Sequence, residues 1–255
     1  MAVTVRQIYE YISSLAPYET QMSWDNSGIN VGDPDAEVKT VVMALDMTNG
    51  VIDHAQSVGA ELIITHHPSI FSAIKSVTPS VSAYRLIRAG IAAVSAHTNL
   101  DASQGGVNDV LCARLGLCGV FPLCVEGEAV PMGRIGALPS PMSASELALY
   151  VRDSIDAGKV SFAGAGEEIK RVAVIGGSGG EYYDVCKAAG ADALVTGEAK
   201  HHQYLASSDI GLTMIVAGHY ETERPVIPAL AQKLSAAFPG IEFIVSDADH
   251  IIHHC

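Results

Sequence analysis

Two adjacent histidines, His66 and His67, end the stretch Glu61-Leu-Ile-Ile-Thr-His-His-Pro68. Leu62, Ile63 and Ile64 form a short apolar run that predicts a buried strand, and Pro68 stops it just past the imidazoles. Open α/β sheets place their ligands where a core strand gives way to a loop. Neutral imidazole is the commonest protein ligand for transition metals. The pair therefore reads as metal ligands or, more blandly, as hydrogen-bonded polar residues capping a strand.

Three further strand ends carry polar groups of the same kind. Ser95-Ala-His-Thr-Asn-Leu-Asp101 supplies His97 and Asp101. Thr196-Gly-Glu198 supplies Glu198 and is followed by His201-His202. Ala217-Gly-His-Tyr-Glu-Thr-Glu223 supplies His219 and Glu223. The last two are four residues apart, on one face of a helix, a spacing that lets an imidazole and a carboxylate share one ion. Such a pair is usually a surface contact, and Asp101 could simply cap the helix after Gly105-Gly106.

Mixed histidine and carboxylate ligands without thiolate suit Zn²⁺, Mn²⁺ or Fe²⁺ better than Ca²⁺. Three histidines and two carboxylates exceed the needs of one four-coordinate structural ion. A carboxylate can bridge two ions, so the expectation is a two-metal site that activates water and polarises a carbonyl, phosphoryl or amidine-type centre. Glu198 or His97 would act beside it as proton carrier or as an orienting neighbour.

The elements that must position these groups alternate in type. Helical spacing covers Val5–Leu15, Gly50–Val58, Val81–Arg88, Gly106–Leu115, Tyr182–Ala189, Lys200–Ala206 and Thr222–Ala237. Strands are expected at Val41–Leu45, Leu62–Ile64, Ile91–Ser95, Val172–Ile175, Ala193–Val195, Met214–Val216 and Ile241–Val245. This alternation argues for an α/β fold with mainly parallel pairing. Val58-Gly-Ala-Glu-Leu-Ile-Ile-Thr65 matches Ala189-Gly-Ala-Asp-Ala-Leu-Val-Thr196, and a looser match at another offset sets His97 on or near His219. The chain thus reads as two similar α/β lobes, residues 1–125 and 165–255, related by an internal pseudo-repeat. Residues 126–164 read as a connecting segment, and the metal site falls in the cleft between the lobes.

Gly176-Gly-Ser-Gly-Gly180 lacks the lysine of a phosphate-binding loop, so a tight strand–helix turn is favoured over a phosphate cradle. Trp24-Asp-Asn-Ser-Gly28 holds the one tryptophan, which either lines the cleft or anchors a turn in the core. The tail His250-Ile-Ile-His-His-Cys255 has a metal-binding composition, which at a terminus is more often incidental.

The 255 residues are 49% apolar, ample for a large core, and carry a net charge of −13. That charge argues against a general nucleic-acid or anionic-membrane binder. The start lacks the features of a signal peptide, and no apolar run reaches the roughly 18 residues of a membrane span. Cys112, Cys118, Cys124, Cys186 and Cys255 show no C-x-x-C spacing. A cytoplasmic protein with reduced thiols is expected, the first four as small buried hydrophobes.

Trp24-Asp-Asn-Ser-Gly-Ile-Asn-Val-Gly32, Leu62-Ile-Ile-Thr-His-His-Pro68, Ala96-His-Thr-Asn-Leu-Asp101 with Gly105-Gly-Val-Asn108, Thr196-Gly-Glu198 and Gly218-His-Tyr-Glu-Thr-Glu223 follow one another in order. Together they resemble the GTP cyclohydrolase I type 2 homologue family, the YbgI-like proteins, over nearly the whole chain. The resemblance implies a two-lobed α/β fold, a dinuclear metal centre and a ring-shaped homohexamer. It assigns the metal ligands to His66, His67, Asp101, His219 and Glu223, with His97 a close neighbour. Some members of that family insert an extra domain between the halves; residues 126–165 are too short for one, so the short form is expected.

Two functions follow as expectations. One is a metal-dependent hydrolase on a small nucleotide-like substrate, with two divalent ions per chain and Arg134, Lys200 and Arg224 available to hold phosphate. The other is a metal-binding regulatory or interaction protein that forms a ring without significant turnover.

Overall fold

A computed structural model describes residues 2–125, 127, 129–164, 166 and 168–252. The chain opens with β1 (Val3–Thr4), α1 (Val5–Leu15), β2 (Gly28–Val31), β3 (Glu37–Val38), β4 (Thr40–Ala44), α2 (Asn49–Val58), β5 (Leu62–Thr65), α3 (Ser82–Ala89), β6 (Ala92–Ser95) and α4 (Thr98–Ala102). It continues with α5 (Val107–Arg114), β7 (Cys118–Leu123), β8 (Gly133–Met142), α6 (Ala144–Ser154), β9 (Ser161–Ala163), β10 (Ile169–Ile175), α7 (Tyr183–Ala188), β11 (Ala193–Thr196), α8 (His201–Asp209), β12 (Thr213–Val216) and α9 (His219–Glu223). It closes with α10 (Val226–Ala237) and β13 (Glu242–Val245). Among the described residues no helix is long and apolar enough to cross a membrane.

These elements form two compact α/β units. The first runs to Gln104 and takes back Ile227–Ile252; the second is Gly105–Val226. The observed divisions therefore differ from the expected ones at residues 125 and 165. The stretch expected to connect the lobes contains β8, α6 and β9, which belong to the second unit. The last strand, expected in the second lobe, belongs to the first unit.

The first unit's five-stranded sheet has the order β13-β4-β5-β6-β2. β13, β4, β5 and β6 are parallel, and β2 is an antiparallel edge. Val41–Ala44 and Leu62–Ile64 are buried along their whole length, as strands covered on both faces require. Val42, Ala44, Ile63 and Ala93 pack with Val51, Ile52 and Ala55 of α2 and with Ala83 and Leu86 of α3. Each of these helices ends at a left-handed glycine, Gly59 after α2 and Gly90 after α3.

The second unit's sheet has the order β7-β8-β10-β11-β12-β9, parallel only through β10, β11 and β12. Its strands alternate between two cores. Val172, Val174, Val195 and Ile215 pack with Leu111 and Cys112 of α5 and Leu147 and Val151 of α6. Ala173, Ile175, Leu194 and Met214 pack on the other face with Cys186 of α7. Pro139 and Pro141 lie where the register between β8 and β10 jumps from Ala137 to Met142, and Pro122 lies on the edge strand β7. Those are the places a sheet tolerates a residue without an N–H.

The internal repeat is structural. β4-α2-β5-α3-β6-α4 of the first unit has the same order as β10-α7-β11-α8-β12-α9 of the second. Thr65 and Thr196 both close the middle strand. The two copies differ most between that strand and the next helix, residues 66–81 in one and 197–200 in the other. This explains why two offsets are needed to align the sequence. The continuous helix expected over Thr222–Ala237 is instead two, α9 and α10, because Arg224-Pro225 interrupts it.

Candidate metal centre

β5 and β6 are adjacent parallel strands, so the residues just past their C-terminal ends lie side by side. His66 and His67 follow β5, and His97 follows β6 two residues on. One ring nitrogen from each of the three lies within 4.8 Å of the others. The ring centroids are 4.9 Å apart for His66–His67, 5.0 Å for His66–His97 and 5.2 Å for His67–His97.

Each imidazole is held through its Nδ1. His66 Nδ1–H donates to the Ala96 carbonyl at 2.8 Å, His67 Nδ1–H to Asp46 Oδ1 at 2.8 Å, and His97 Nδ1–H to Asp25 Oδ1 at 2.9 Å. In the neutral ring this leaves the lone pair on Nε2. A second partner that fixes tautomer and orientation is the usual support of a metal-ligating histidine. Asp101 lies on α4, one turn beyond His97, and its Oδ1 is 3.6 Å from His66 Nε2.

Asp25 and Asp46 were not among the expected site residues. Asp46 follows β4, the neighbour of β5. Asp25 reaches its place because β2 pairs antiparallel with β6, setting Gly28 opposite Ser95 and the preceding residues beside Ala96–Thr98. Gly28 itself has φ 125°, a backbone conformation that favours glycine. Burial alone would raise the Asp25 carboxyl. Hydrogen bonds from His97, Thr98 and Ser27, with the attraction of His97, outweigh it and hold the group well below the usual carboxylate range. The sequence signal was Trp24-Asp-Asn-Ser-Gly28, read as a turn or a cleft lining without a role for the acid.

The second unit has its own set. His219 Nε2 lies 3.1 Å from Glu223 Oε2, and His219 Nδ1 lies 3.4 Å from Glu198 Oε1. Glu223 is buried on the one-turn helix α9, whereas Glu198 is exposed and accepts a hydrogen bond from Ser178 Oγ at 2.5 Å. His97…Asp101 and His219…Glu223 are corresponding pairs in the structural repeat. In each, a histidine past the third parallel strand precedes a carboxylate by one helical turn.

Gly176–Gly180 is a turn built for close approach, as the sequence favoured. Gly177 has φ 61°, and a Cβ there would collide with Glu223 Oε1 and lie 3.2 Å from His219 Nε2. Its carbonyl accepts from the amides of Gly197 and Glu198, both at 2.9 Å. A Cβ at Gly176 would lie 2.9 Å from Val107 and one at Gly180 2.7 Å from Ala199, both too close.

The remaining candidates divide. The Arg134 guanidinium is buried and taken up by Asp109, at 2.6 and 3.2 Å, which makes it structural rather than a phosphate holder. Arg224 Nε donates to the Tyr220 hydroxyl at 3.1 Å. Lys200, with Ser178, Glu181, Gly197, Glu198 and Gln203, lines a pocket of about 580 Å³ in the second unit. His201 and His202 are exposed on α8 and join none of these groups of ligands among the described residues. Of the tail, His253, His254 and Cys255 lie outside the described residues. Cys112 and Cys186 are buried as expected, while Cys118 and Cys124 are exposed, contrary to expectation. Trp24 is no core anchor, since it is 55% exposed.

A Clostridium perfringens (strain 13 / Type A) protein named GTP cyclohydrolase 1 type 2 homolog is 34% identical over 251 residues, 95% of each chain. A Helicobacter pylori (strain J99) protein named GTP cyclohydrolase 1 type 2 is 30% identical over 228 residues, 86% of this chain and 87% of its own. The crystal structure of a Staphylococcus aureus hypothetical protein superposes with a TM-score of 0.92 at 25% identity, covering 100% of both chains. The profile of the Duf34/NIF3 (NGG1p interacting factor 3) family matches residues 3–250, and the chain belongs to that family.

Proposed function

We propose that this protein is a metal-dependent hydrolase in which His66, His67, Asp101, His219 and Glu223 hold two divalent ions, and that its substrate is small and nucleotide-like. The observation that carries this reading is the first unit's imidazole cluster, with every Nδ1 committed to a fixed acceptor. Three imidazoles oriented this way, with a carboxylate 3.6 Å from one of them, fit Zn²⁺, Mn²⁺ or Fe²⁺.

Bound there, the ions would acidify water near neutral pH and polarise a carbonyl, phosphoryl or amidine-type centre. The chain's own residues supply the rest. Asp46 and Asp25 hold His67 and His97 in one tautomer. Glu198, exposed beside His219, would carry a proton, and Lys200 would offer positive charge in the adjoining pocket. The name of the Helicobacter pylori relative puts GTP first among substrates to try. The homohexameric ring implied by the resemblance is part of the same proposal.

Elemental analysis of untagged chain lacking residues 250–255 tests it, alongside metal-dependent turnover of GTP and other nucleotides. The expected result is about two ions per chain, with both occupancy and turnover lost in His66→Ala and Glu223→Ala while the far-UV signature stays. Full occupancy without turnover of any nucleotide would favour the binding-protein alternative. Occupancy unchanged in both variants would sink the two-metal site. Sedimentation equilibrium reads the ring.

A further inference from the structure

Trp24, the chain's one tryptophan, is 55% exposed, and Phe71 is 53% exposed. Scattered exposed apolar residues need no explanation. These two are paired, with ring centroids 5.8 Å apart and planes tilted by 39°. Both also stand steeply to His97, Trp24 at 5.9 Å and 71°, Phe71 at 6.0 Å and 64°. The pair therefore borders the imidazole cluster directly.

Its placement is built. Asn26 Nδ2 donates to the Ile70 carbonyl at 2.7 Å, and Asn30 Oδ1 accepts from the Ser69 amide at 3.1 Å. The loop that carries Phe71 is thus tied to the segment that carries Trp24. Asp25, between Trp24 and Asn26, holds His97. The same loop, residues 66–81, is where the first unit departs most from its repeat. The four residues 197–200 make that connection in the second unit, so the scaffold does not require the added length. What it adds is an aromatic surface left open to water next to three fixed imidazoles.

We propose that Trp24 and Phe71 form a stacking surface for the planar heteroaromatic ring of the substrate, a nucleobase or a ring of that kind, beside His97. Aromatic faces recognise flat π-systems with little regard to ring identity, and a few polar groups close by set orientation. The inference deepens the hydrolase reading and rests on it for chemistry, while ring binding itself requires no metal.

Trp24 reports directly on its own surface. Tryptophan emission of the full chain, under tryptophan-selective excitation and corrected for ligand absorbance, is followed during titration with guanosine, GTP and ribose 5-phosphate. Each titration is run with and without chelator. Saturable quenching by guanosine and GTP, but not by ribose 5-phosphate, is expected in both conditions. Equilibrium dialysis should show guanosine binding weakened about tenfold in Phe71→Leu and Trp24→Leu and largely restored in Trp24→Tyr, with metal content unchanged. Equal binding in the leucine variants would overturn the proposal, as would equal quenching by ribose 5-phosphate. A blue-shifted emission that appears with rising protein concentration would also overturn it, because the pair would then be covered by a second copy. Absence of metal with ring binding intact would remove the hydrolase reading and leave the stacking surface standing.

Discussion

The Asp249 carboxylate accepts a hydrogen bond from the Leu45 amide at 2.6 Å, although the two are 204 positions apart in sequence. It also accepts from the Asp46 amide at 3.2 Å, and Asp46 accepts from His67 Nδ1 at 2.8 Å. The C-terminal segment after β13 thus sets the loop that orients His67, a candidate metal ligand. Asp249 is 1% exposed. Asp249→Ala should lower unfolding free energy by about 1–3 kcal/mol, the cost of a buried polar group losing its partner. Asp249→Asn, which keeps an acceptor, should cost less. Urea denaturation of both variants checks the order.

Asp46 and Asp25 accept from the imidazoles of His67 and His97, so their loss acts on ring orientation and basicity. Asp46→Ala should weaken divalent metal binding by roughly 10–100-fold without abolishing it. Asp25→Ala should weaken it too and should also destabilise the fold, because Asp25 accepts from Ser27 and Thr98 as well as from His97. Competition with a chromophoric chelator measures both. Binding equal to wild type in Asp46→Ala would mean that His67 keeps its place without the carboxylate.

What the sequence made legible follows from burial. Leu62–Ile64 and Ala193–Val195 sit in the middle of sheets covered on both faces, so their code is a short apolar run that shows without context. The histidines were visible because they interrupt such runs at their ends. β8 was missed because residues 126–164 read as a connecting segment, whereas the strand holds Pro139 and Pro141 at a register break that only its pairing with β10 reveals. The membership of β13 in the first unit depends on its pairing with β4, about as nonlocal a contact as this chain makes. Asp25 was illegible as a site residue for the same reason. Its partner lies 72 positions away and is reached only through the β2–β6 pairing.

The four described cysteines should separate cleanly by reactivity. Cys112 and Cys186 are buried in apolar clusters on opposite faces of the second sheet. Burial, with lesser contributions from Asp109 and Asp184, pushes both thiols up to about 12. A thiol with so high a value is protonated at pH 8, and the nucleophile is the thiolate. Cys118 and Cys124 are exposed. A Cys255→Ser chain should therefore release two equivalents of thiol to an aromatic disulfide reagent when native and four when unfolded in denaturant. Rapid native modification of all four would show that the second unit opens readily.

Gly177 joins backbone geometry to the His219–Glu223 pair of the second unit. Alanine there faces two penalties that a control can separate. The first is conformational: at φ 61° a Cβ costs roughly 1–2 kcal/mol. The second is local: that Cβ would collide with Glu223 Oε1, which must swing away from His219 Nε2, now 3.1 Å from Glu223 Oε2. Gly59 offers the first penalty without the second, since it has φ 69° and a Cβ there would meet nothing within 4 Å. Both Gly59→Ala and Gly177→Ala should melt at lower temperature, Gly177→Ala the more so. Only Gly177→Ala should lose metal on elemental analysis, because only there does the added methyl displace a proposed ligand. Full metal content in Gly177→Ala would show that Glu223 is dispensable to the centre or can ligate from another rotamer. An equal loss in Gly59→Ala would mean that metal content follows global stability rather than the Glu223 carboxylate.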